Sequence, residues 1–417
     1  MLDEPGPDRT GIDAVIHTLL HASFGMVPDE LGNAVALLAD EHTTARDMQL
    51  LLVDLDQQVL IPLNDGEAHS VEWSPAGQAF REEQPVVERL PEGRRLWLPI
   101  LDSAERVGVL GLTDGEDVPV DEWLSLTSLL GELVVSKEKY GDLISRVRRR
   151  QPVSLAAEMR WSLLPPLTFS SPIVGVSGIL QPSYGVAGDA FDYSVDDTTA
   201  VVAIFDAMGH GLHASRLANL AVGAFRSLRR AGMGAEEMLG EMDAVIDQEF
   251  DGAPFVTAQI ITLDLETGVA SIRTAGHPPP VRLRVGTPPT VVPVKPAVPL
   301  GYGPARYEAT EVQLEEGEAL LLVSDGVYEA RSIDGHQFGW DRMLQVVHDR
   351  FEAGDRLPEV LRRALRDVMT FQRGEPVHEG RRNDDATMVL LRWCPASAGQ
   401  PAEPRASELR EAEAPTA

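Results

Sequence analysis

The strongest constraint on the fold is the run Val201-Val202-Ala203-Ile204-Phe205, which stops at Asp206. An unbroken apolar run of this length reads as a strand covered on both faces. Asp206-Ala207-Met208-Gly209-His210-Gly211 follows, a turn whose two glycines allow a backbone path that a side chain would block. Residues 212–228 then carry the apolar period of a helix. Asp206 is thus expected at the end of a core strand, where a carboxylate is costly to bury unless something positive pairs with it. It is either a turn-capping aspartate or a ligand, and this stretch alone does not separate the two.

The chain has 417 residues, enough for two or three domains. Its 36 basic and 65 acidic residues give a net charge of −29, which argues against nucleic-acid or anionic-membrane partners. The single cysteine, Cys394, excludes an internal disulfide and a cysteine-based zinc site. Residues 1–10 are acidic and proline-bearing rather than a basic head before an apolar run, and no apolar run approaches the length of a membrane span. The expected compartment is the cytoplasm.

Residues 10–140 read as a first domain of α+β type. Helical periodicity at Ile12, Val15, Ile16, Leu19 and Leu20, and again at Leu31, Val35, Leu37 and Leu38, precedes strands at 49–55 and 58–63. A short helix at 76–80, strands at 95–99 and 106–113, and a helix at 120–140 follow. His17, His21, His42 and His69 lie far apart and form no cluster. The stretch resembles a GAF domain through Leu50-Leu51-Leu52-Val53-Asp54, through Ala76-Gly77-Gln78-Ala79-Phe80 with Gln84-Pro85-Val86-Val87, and through Leu96-Trp97-Leu98-Pro99-Ile100 with Val107-Gly108-Val109-Leu110-Gly111-Leu112. That resemblance implies a sensor with a small-molecule ligand pocket or a homodimerisation surface. A purely structural dimerisation role is the alternative.

Residues 141–166 read as a helical connector. Tyr140, Leu143, Ile144 and Val147 share one helical face, and Arg146-Val147-Arg148-Arg149-Arg150 reads as a solvated basic face. Pro152 ends this helix, and a second helix over 154–164 runs to Pro165-Pro166. Two helices in series suit either transmission of a rotation or plain spacing.

Residues 167–394 form the second expected domain. Strands are read at 173–180, 255–265, 269–275, 281–285, 291–294, 311–314, 318–323 and 387–393, with helices at 235–250, 340–348 and 357–371. Residues 395–417, rich in Pro, Ala and Glu, read as a disordered tail.

The Asp206 pattern recurs in this domain. Leu320-Leu321-Leu322-Val323 runs into Ser324-Asp325-Gly326; Asp189 follows Gly188 beside a strand; Asn383-Asp384-Asp385 precedes the last strand. Carboxylates gathered in a low-dielectric site repel strongly, so cations must hold them. All-oxygen ligation favours hard divalent ions, Mg²⁺ or Mn²⁺. Two such ions lower the pKa of a shared water, whose hydroxide attacks phosphorus in line, with no catalytic Ser or Cys nucleophile. Four unrelated turn aspartates is the competing reading.

Residues 167–394 resemble the metal-dependent protein phosphatases of type 2C, in the bacterial sporulation-protein-IIE-like branch. The residues that carry this are Ala187-Gly188-Asp189-Ala190-Phe191-Asp192, Asp206-Ala207-Met208-Gly209-His210-Gly211, Phe255-Val256-Thr257-Ala258 and Ala275-Gly276-His277-Pro278-Pro279-Pro280, then Pro299-Leu300-Gly301, Ser324-Asp325-Gly326-Val327-Tyr328-Glu329-Ala330-Arg331 and Asp384-Asp385-Ala386-Thr387. The resemblance implies a β-sandwich of two antiparallel sheets flanked by helices. It implies that Asp206 bridges two metals, that the Ala207 carbonyl is a ligand, that Asp189 is the early acidic ligand, and that Asp325 and Asp384 complete the ligand set of the second metal. Asp384 is preferred to Asp385 because the family places the ligand three residues before the threonine, here Thr387. Ala187 stands where a glycine is common, and Thr274 where an asparagine is common. His210 and His277 are either proton donors to the leaving group or loop-ordering residues. Glu158-Met159-Arg160-Trp161-Ser162-Leu163-Leu164-Pro165 resembles the segment leading into the catalytic core in this branch, which implies a helical switch under the sensor's control.

The whole chain therefore reads as α+β: a GAF-like sensor, a helical connector and a sandwich phosphatase using two Mn²⁺ or Mg²⁺ ions on phosphoserine or phosphothreonine. The implied substrate and partner is a phosphorylated anti-anti-sigma protein of the STAS type. The alternatives are a non-catalytic phosphatase-like scaffold, marked by loss of a metal aspartate, and a hydrolase of small phosphorylated molecules. No Gly-rich ATP-lid pattern beside an Asn-bearing helix points to a kinase-like partner switch in this chain.

Overall fold

The computed structural model describes residues 11–91, 93–114, 120–181, 184–185, 188–250, 254–373, 385–395 and 410–411. The chain divides into two compact units, one of Met1–Gln151 with Ala402–Ala417, the other of Pro152–Pro401.

The first unit runs α1 (Ile12–Ser23), α2 (Leu31–His42), β1 (Arg46–Val53), β2 (Val59–Pro62), β3 (His69–Ser70), α3 (Pro75–Glu82), β4 (Val86–Leu90), β5 (Gly93–Asp102), β6 (Glu105–Asp114), α4 (Val120–Glu138) and α5 (Leu143–Arg148). Its sheet has the order β4-β5-β6-β1-β2-β3. The second half of β1, Leu50–Val53, is apolar because both its faces are covered. Leu50 and Leu52 pack with α1, α2 and α4, whereas Leu51 and Val53 pack with Ala76, Ala79 and Phe80 of α3 on the other side.

The connector expected at 141–166 is divided. α5 places Ile144 and Val147 in the first unit's core. Its basic run is not simply solvated: Arg148 Nε donates to the Val53 carbonyl at 3.2 Å, and Arg150 lies 3.7 Å from the buried Asp54 carboxylate. After Pro152 the chain enters the second unit, beginning with α6 (Leu155–Trp161).

The second unit continues with β7 (Thr168–Ser170), β8 (Val174–Gln181), β9 (Asp189–Val195), β10 (Thr199–Ala207), α7 (Gly211–Arg230), α8 (Ala235–Phe250), β11 (Val256–Asp264), β12 (Val269–Ala275), β13 (Val281–Arg284) and β14 (Thr287–Val291). Then come β15 (Thr310–Gln313), β16 (Ala319–Val323), α9 (Asp325–Tyr328), α10 (Trp340–Glu352), α11 (Leu357–Arg373) and β17 (Ala386–Trp393). Two antiparallel sheets result, β15-β12-β11-β10-β9 and β14-β13-β16-β17-β8-β7. Val202, Ile204, Ile261, Leu322 and Val389 fill the space between them. Alternate residues face outward: Ala203, Phe205 and Ala207 meet α7 and α8, while Leu321, Val323 and Leu390 meet α10 and α11. The unit is therefore four layers deep, helices outside and two sheets inside, the sandwich that the type-2C resemblance implies.

β14 ends where the sequence suggested a strand would begin. Val292 and Val294 instead turn into the inter-sheet core. Of the segment expected to be a disordered tail, Arg410–Glu411 forms β18, which pairs in parallel with Val86 and Val87 at the β4 edge of the first unit's sheet. An open sheet edge offers backbone hydrogen bonds that need no apolar pattern in the added segment. The rest of that tail lies outside the described residues. Among the described residues no helix is long and apolar enough to cross a membrane.

Candidate metal centre

The side-chain alternation that fills the sandwich also builds the site. On β10, Val202 and Ile204 point between the sheets, so Asp206 points the same way at the strand's end. On β9, Phe191 points between the sheets, and so does Asp189. The register pairs Asp189 directly with Asp206, and Asp206 directly with Thr257 of β11. Two carboxylates thus face one another across neighbouring strands, where side chains stand about 5 Å apart and like charges destabilise the pair.

The opposite sheet closes over them. Ser324, between β16 and α9, donates its hydroxyl to Asp189 Oδ2 at 2.6 Å and accepts from the Thr387 amide at 2.9 Å. Asp325 opens α9 immediately after it. Asp206 and Asp325 both raise the pKa of the half-buried Tyr328 phenol, which burial, Asp325, Glu329 and Asp206 together push up to about 12. That phenol therefore lies near both Asp206, close to the end of β10, and Asp325, at the start of α9.

Burial first, then Asp206, then Asp385 push the Asp189 carboxyl well above the usual range. Asp189 is 2% exposed, and among the described residues no basic side chain pairs with it. A buried carboxylate beside a second one, without a cationic side chain, is the state that a bound cation relieves. The backbone agrees: a Cβ on Gly188 would stand 3.0 Å from the Ala207 carbonyl oxygen, so glycine keeps that oxygen open. Carboxylates and a carbonyl are hard oxygen donors, and this set fits Mg²⁺ or Mn²⁺.

The structure brings Asp189, Asp206, Ala207 and Asp325 to one end of the sandwich. Asp384 and Ala187 lie outside the described residues. Among the described residues no three His, Cys, Asp or Glu side chains converge closely enough to hold an ion by themselves.

His277 is 4% exposed and its Nδ1 shares a 2.9 Å hydrogen bond with the Thr257 hydroxyl. Burial pushes its pKa down to about 3, which favours the neutral ring at physiological pH. Its loop is closed by Thr274, whose hydroxyl donates to the His277 carbonyl at 3.0 Å and accepts from the His277 amide at 3.2 Å. The threonine that replaces a common asparagine therefore still clamps the loop. His210, in contrast, is exposed at the start of α7.

Sequence reasoning missed several supports. Ser324 and Tyr328 had a usable signal, since both sit in the stretch around Asp325. Asp385 had an ambiguous one. It is 3% exposed, its Oδ1 lies 3.0 Å from Arg160 of α6, and its Oδ2 accepts from the Gly188 amide and from the Asp189 amide at 3.3 Å. Arg160 had only its place in the segment that resembles the lead into the catalytic core, since its partner is 225 residues away.

Residues 196–394 match the family described as Stage II sporulation protein E (SpoIIE). The chain is 22% identical over 244 residues to the phosphoserine phosphatase RsbU of Bacillus subtilis (strain 168), spanning 58% of this chain and 70% of that protein. Among solved structures, the RsbU and RsbW domains of Rv1364c from Mycobacterium tuberculosis align at 22% identity with a TM-score of 0.44, covering 55% of this chain and 63% of that one. The SiaA-PP2C domain of Pseudomonas aeruginosa aligns at 20% identity with a TM-score of 0.46, covering 57% and 94%.

Proposed function

We propose that the SpoIIE-type domain of this chain is a metal-dependent protein serine/threonine phosphatase. The observation that carries the reading is the register pairing of Asp189 with Asp206 at the open end of a sandwich, with no basic side chain on Asp189 among the described residues. Asp206, Asp189, Asp325, Asp384 and the Ala207 carbonyl would hold two ions, Mn²⁺ or Mg²⁺. Bound there, such ions supply Lewis acidity towards a water and the phosphoryl oxygens. The chain's own residues do the rest. β9 and β10 fix the two carboxylates in register, and Ser324 orients Asp189 through its hydroxyl. Thr257 and Thr274 hold the His277 loop beside them as a neutral support.

The substrate we infer is a phosphoserine or phosphothreonine on a regulatory protein, with a phosphorylated STAS-type anti-anti-sigma protein as the first candidate. Similarity to RsbU supports that choice. The first unit, a sheet with α1, α2 and α4 on one face and α3 on the other, supports a GAF-like regulatory role. A small-molecule ligand there and a homodimer remain parts of this proposal, as does a cytoplasmic location.

Substrate class is tested by comparing Mn²⁺-dependent kcat/KM on a phosphorylated STAS protein with that on free phosphoserine and an aryl phosphate. The reading expects the protein to be preferred by at least about tenfold, since contacts remote from the phosphate are available only to it. Equal or better turnover of free phosphoserine would favour a small-molecule hydrolase.

A further inference from the structure

Arg160 is among the largest fully buried side chains of the protein, 2% exposed, and it sits on the short helix α6 rather than on the sandwich. A guanidinium stays charged even when buried, so it needs a carboxylate in reach. Asp385 supplies it at 3.0 Å. The other Asp385 oxygen accepts from the amides of Gly188 and Asp189, where β9 begins. One carboxylate therefore bridges α6 and the first residues of the strand that carries Asp189. The same two residues define the centre: the Gly188 carbonyl accepts from the Ala207 amide at 3.0 Å, and Asp189 faces Asp206.

α6 is itself tied to this corner. The Ser154 hydroxyl donates to the Gly185 carbonyl at 2.6 Å, the Ser154 amide donates to the Tyr184 carbonyl at 2.9 Å, and Ser215 of α7 donates to the Ala156 carbonyl at 3.1 Å. A shift of α6 relative to α7 therefore moves Arg160 with it.

We propose that Arg160 is a positioning residue for the metal centre: through Asp385 it fixes the Gly188–Asp189 backbone and so sets the Asp189 carboxylate against Asp206. This rests on reading those aspartates as metal ligands. Without Arg160, the Asp385 carboxylate loses the guanidinium at its Oδ1 while still opposing the charge of Asp189. It then turns away and releases the two amides. The expected cost falls on metal affinity, because residues that orient ligands typically change it by about 10–100-fold.

The test uses the full chain stripped of metal with EDTA. Mn²⁺ affinity is measured by titration calorimetry for wild type, Arg160→Gln, Arg160→Lys, Asp385→Asn and the Arg160→Gln/Asp385→Asn double variant. Each is also followed by thermal unfolding and by aryl phosphate turnover against Mn²⁺ concentration. Arg160→Gln is expected to weaken Mn²⁺ binding by about tenfold or more, with kcat at saturating Mn²⁺ nearly unchanged. Arg160→Lys should recover part of the loss, and the double variant should be no weaker than the worse single one. Arg160→Gln that unfolds at a lower temperature yet binds Mn²⁺ like wild type would mark a merely structural ion pair and overturn the proposal. If Arg160→Gln does not fold, Arg160→Lys and Asp385→Asn are judged by the same criterion. Wild type that takes up no Mn²⁺ would overturn the metal-centre reading itself, which is a different result.

Discussion

Asp189 and Asp206 repel one another across β9 and β10, so each substitution there has two opposite effects. Asp189→Asn removes a ligand and also removes the repulsion. It should raise the melting temperature of the EDTA-treated protein while abolishing the rise that Mn²⁺ gives wild type. A variant that melts below wild type without metal would mean the two carboxylates are not in conflict. His277 gives a prediction in pH. Its folded pKa is about 3 against an unfolded value near 6.5. Between those values the unfolded chain binds the extra proton, so stability is full above about pH 6.5 and falls as pH drops towards 3. His277→Gln should flatten that acid slope in urea unfolding. It should also leave the shape of the kcat/KM profile unchanged from pH 6 to 9, whereas a catalytic proton donor would lose a limb.

At the scale of elements, the site is only as rigid as the packing of β10 against α7. Phe205 is fully buried on the helix-facing side of β10, and its ring meets Phe225 of α7 edge-on at 5.6 Å. Phe225→Ala should cost about 3–5 kcal/mol in urea unfolding, and a cost under about 1 kcal/mol would mean that α7 does not support the strand. Most of these elements were legible in the sequence for a simple reason. β10, β16 and β17 each contain an apolar run covered on both faces, Ala200–Phe205, Ala319–Val323 and Met388–Leu391, and each has an acidic residue close by at the site end. That repeated context marked Asp206, Asp325 and the Asp384–Asp385 pair as candidates, and the family resemblance gave them their roles. What could not be read was any contact between distant segments. Arg160 looks like an ordinary charge on a helix until the fold carries Asp385 to it, and Thr274 looks like a departure until its hydroxyl is seen closing the His277 loop. The tail's pairing with β4 is invisible for a related reason: it is made by backbone groups, which every residue has.

For the whole molecule, the division near residue 151 separates the first unit from the one holding the proposed centre. If the first unit regulates the second, removing residues 1–151 should change either the specific activity with Mn²⁺ or the oligomeric state seen by light scattering. A truncated protein identical to the full chain in both would make the first unit a passenger. The central claim, however, is the chemistry at Asp206, and it is tested most directly by phosphate release from a phosphoserine-bearing STAS protein with Mn²⁺, comparing wild type with Asp206→Asn. Release that needs Mn²⁺, stops with EDTA and falls at least about a thousandfold in the variant is the predicted result. Release that survives EDTA, or an Asp206→Asn protein as active as wild type, would contradict it.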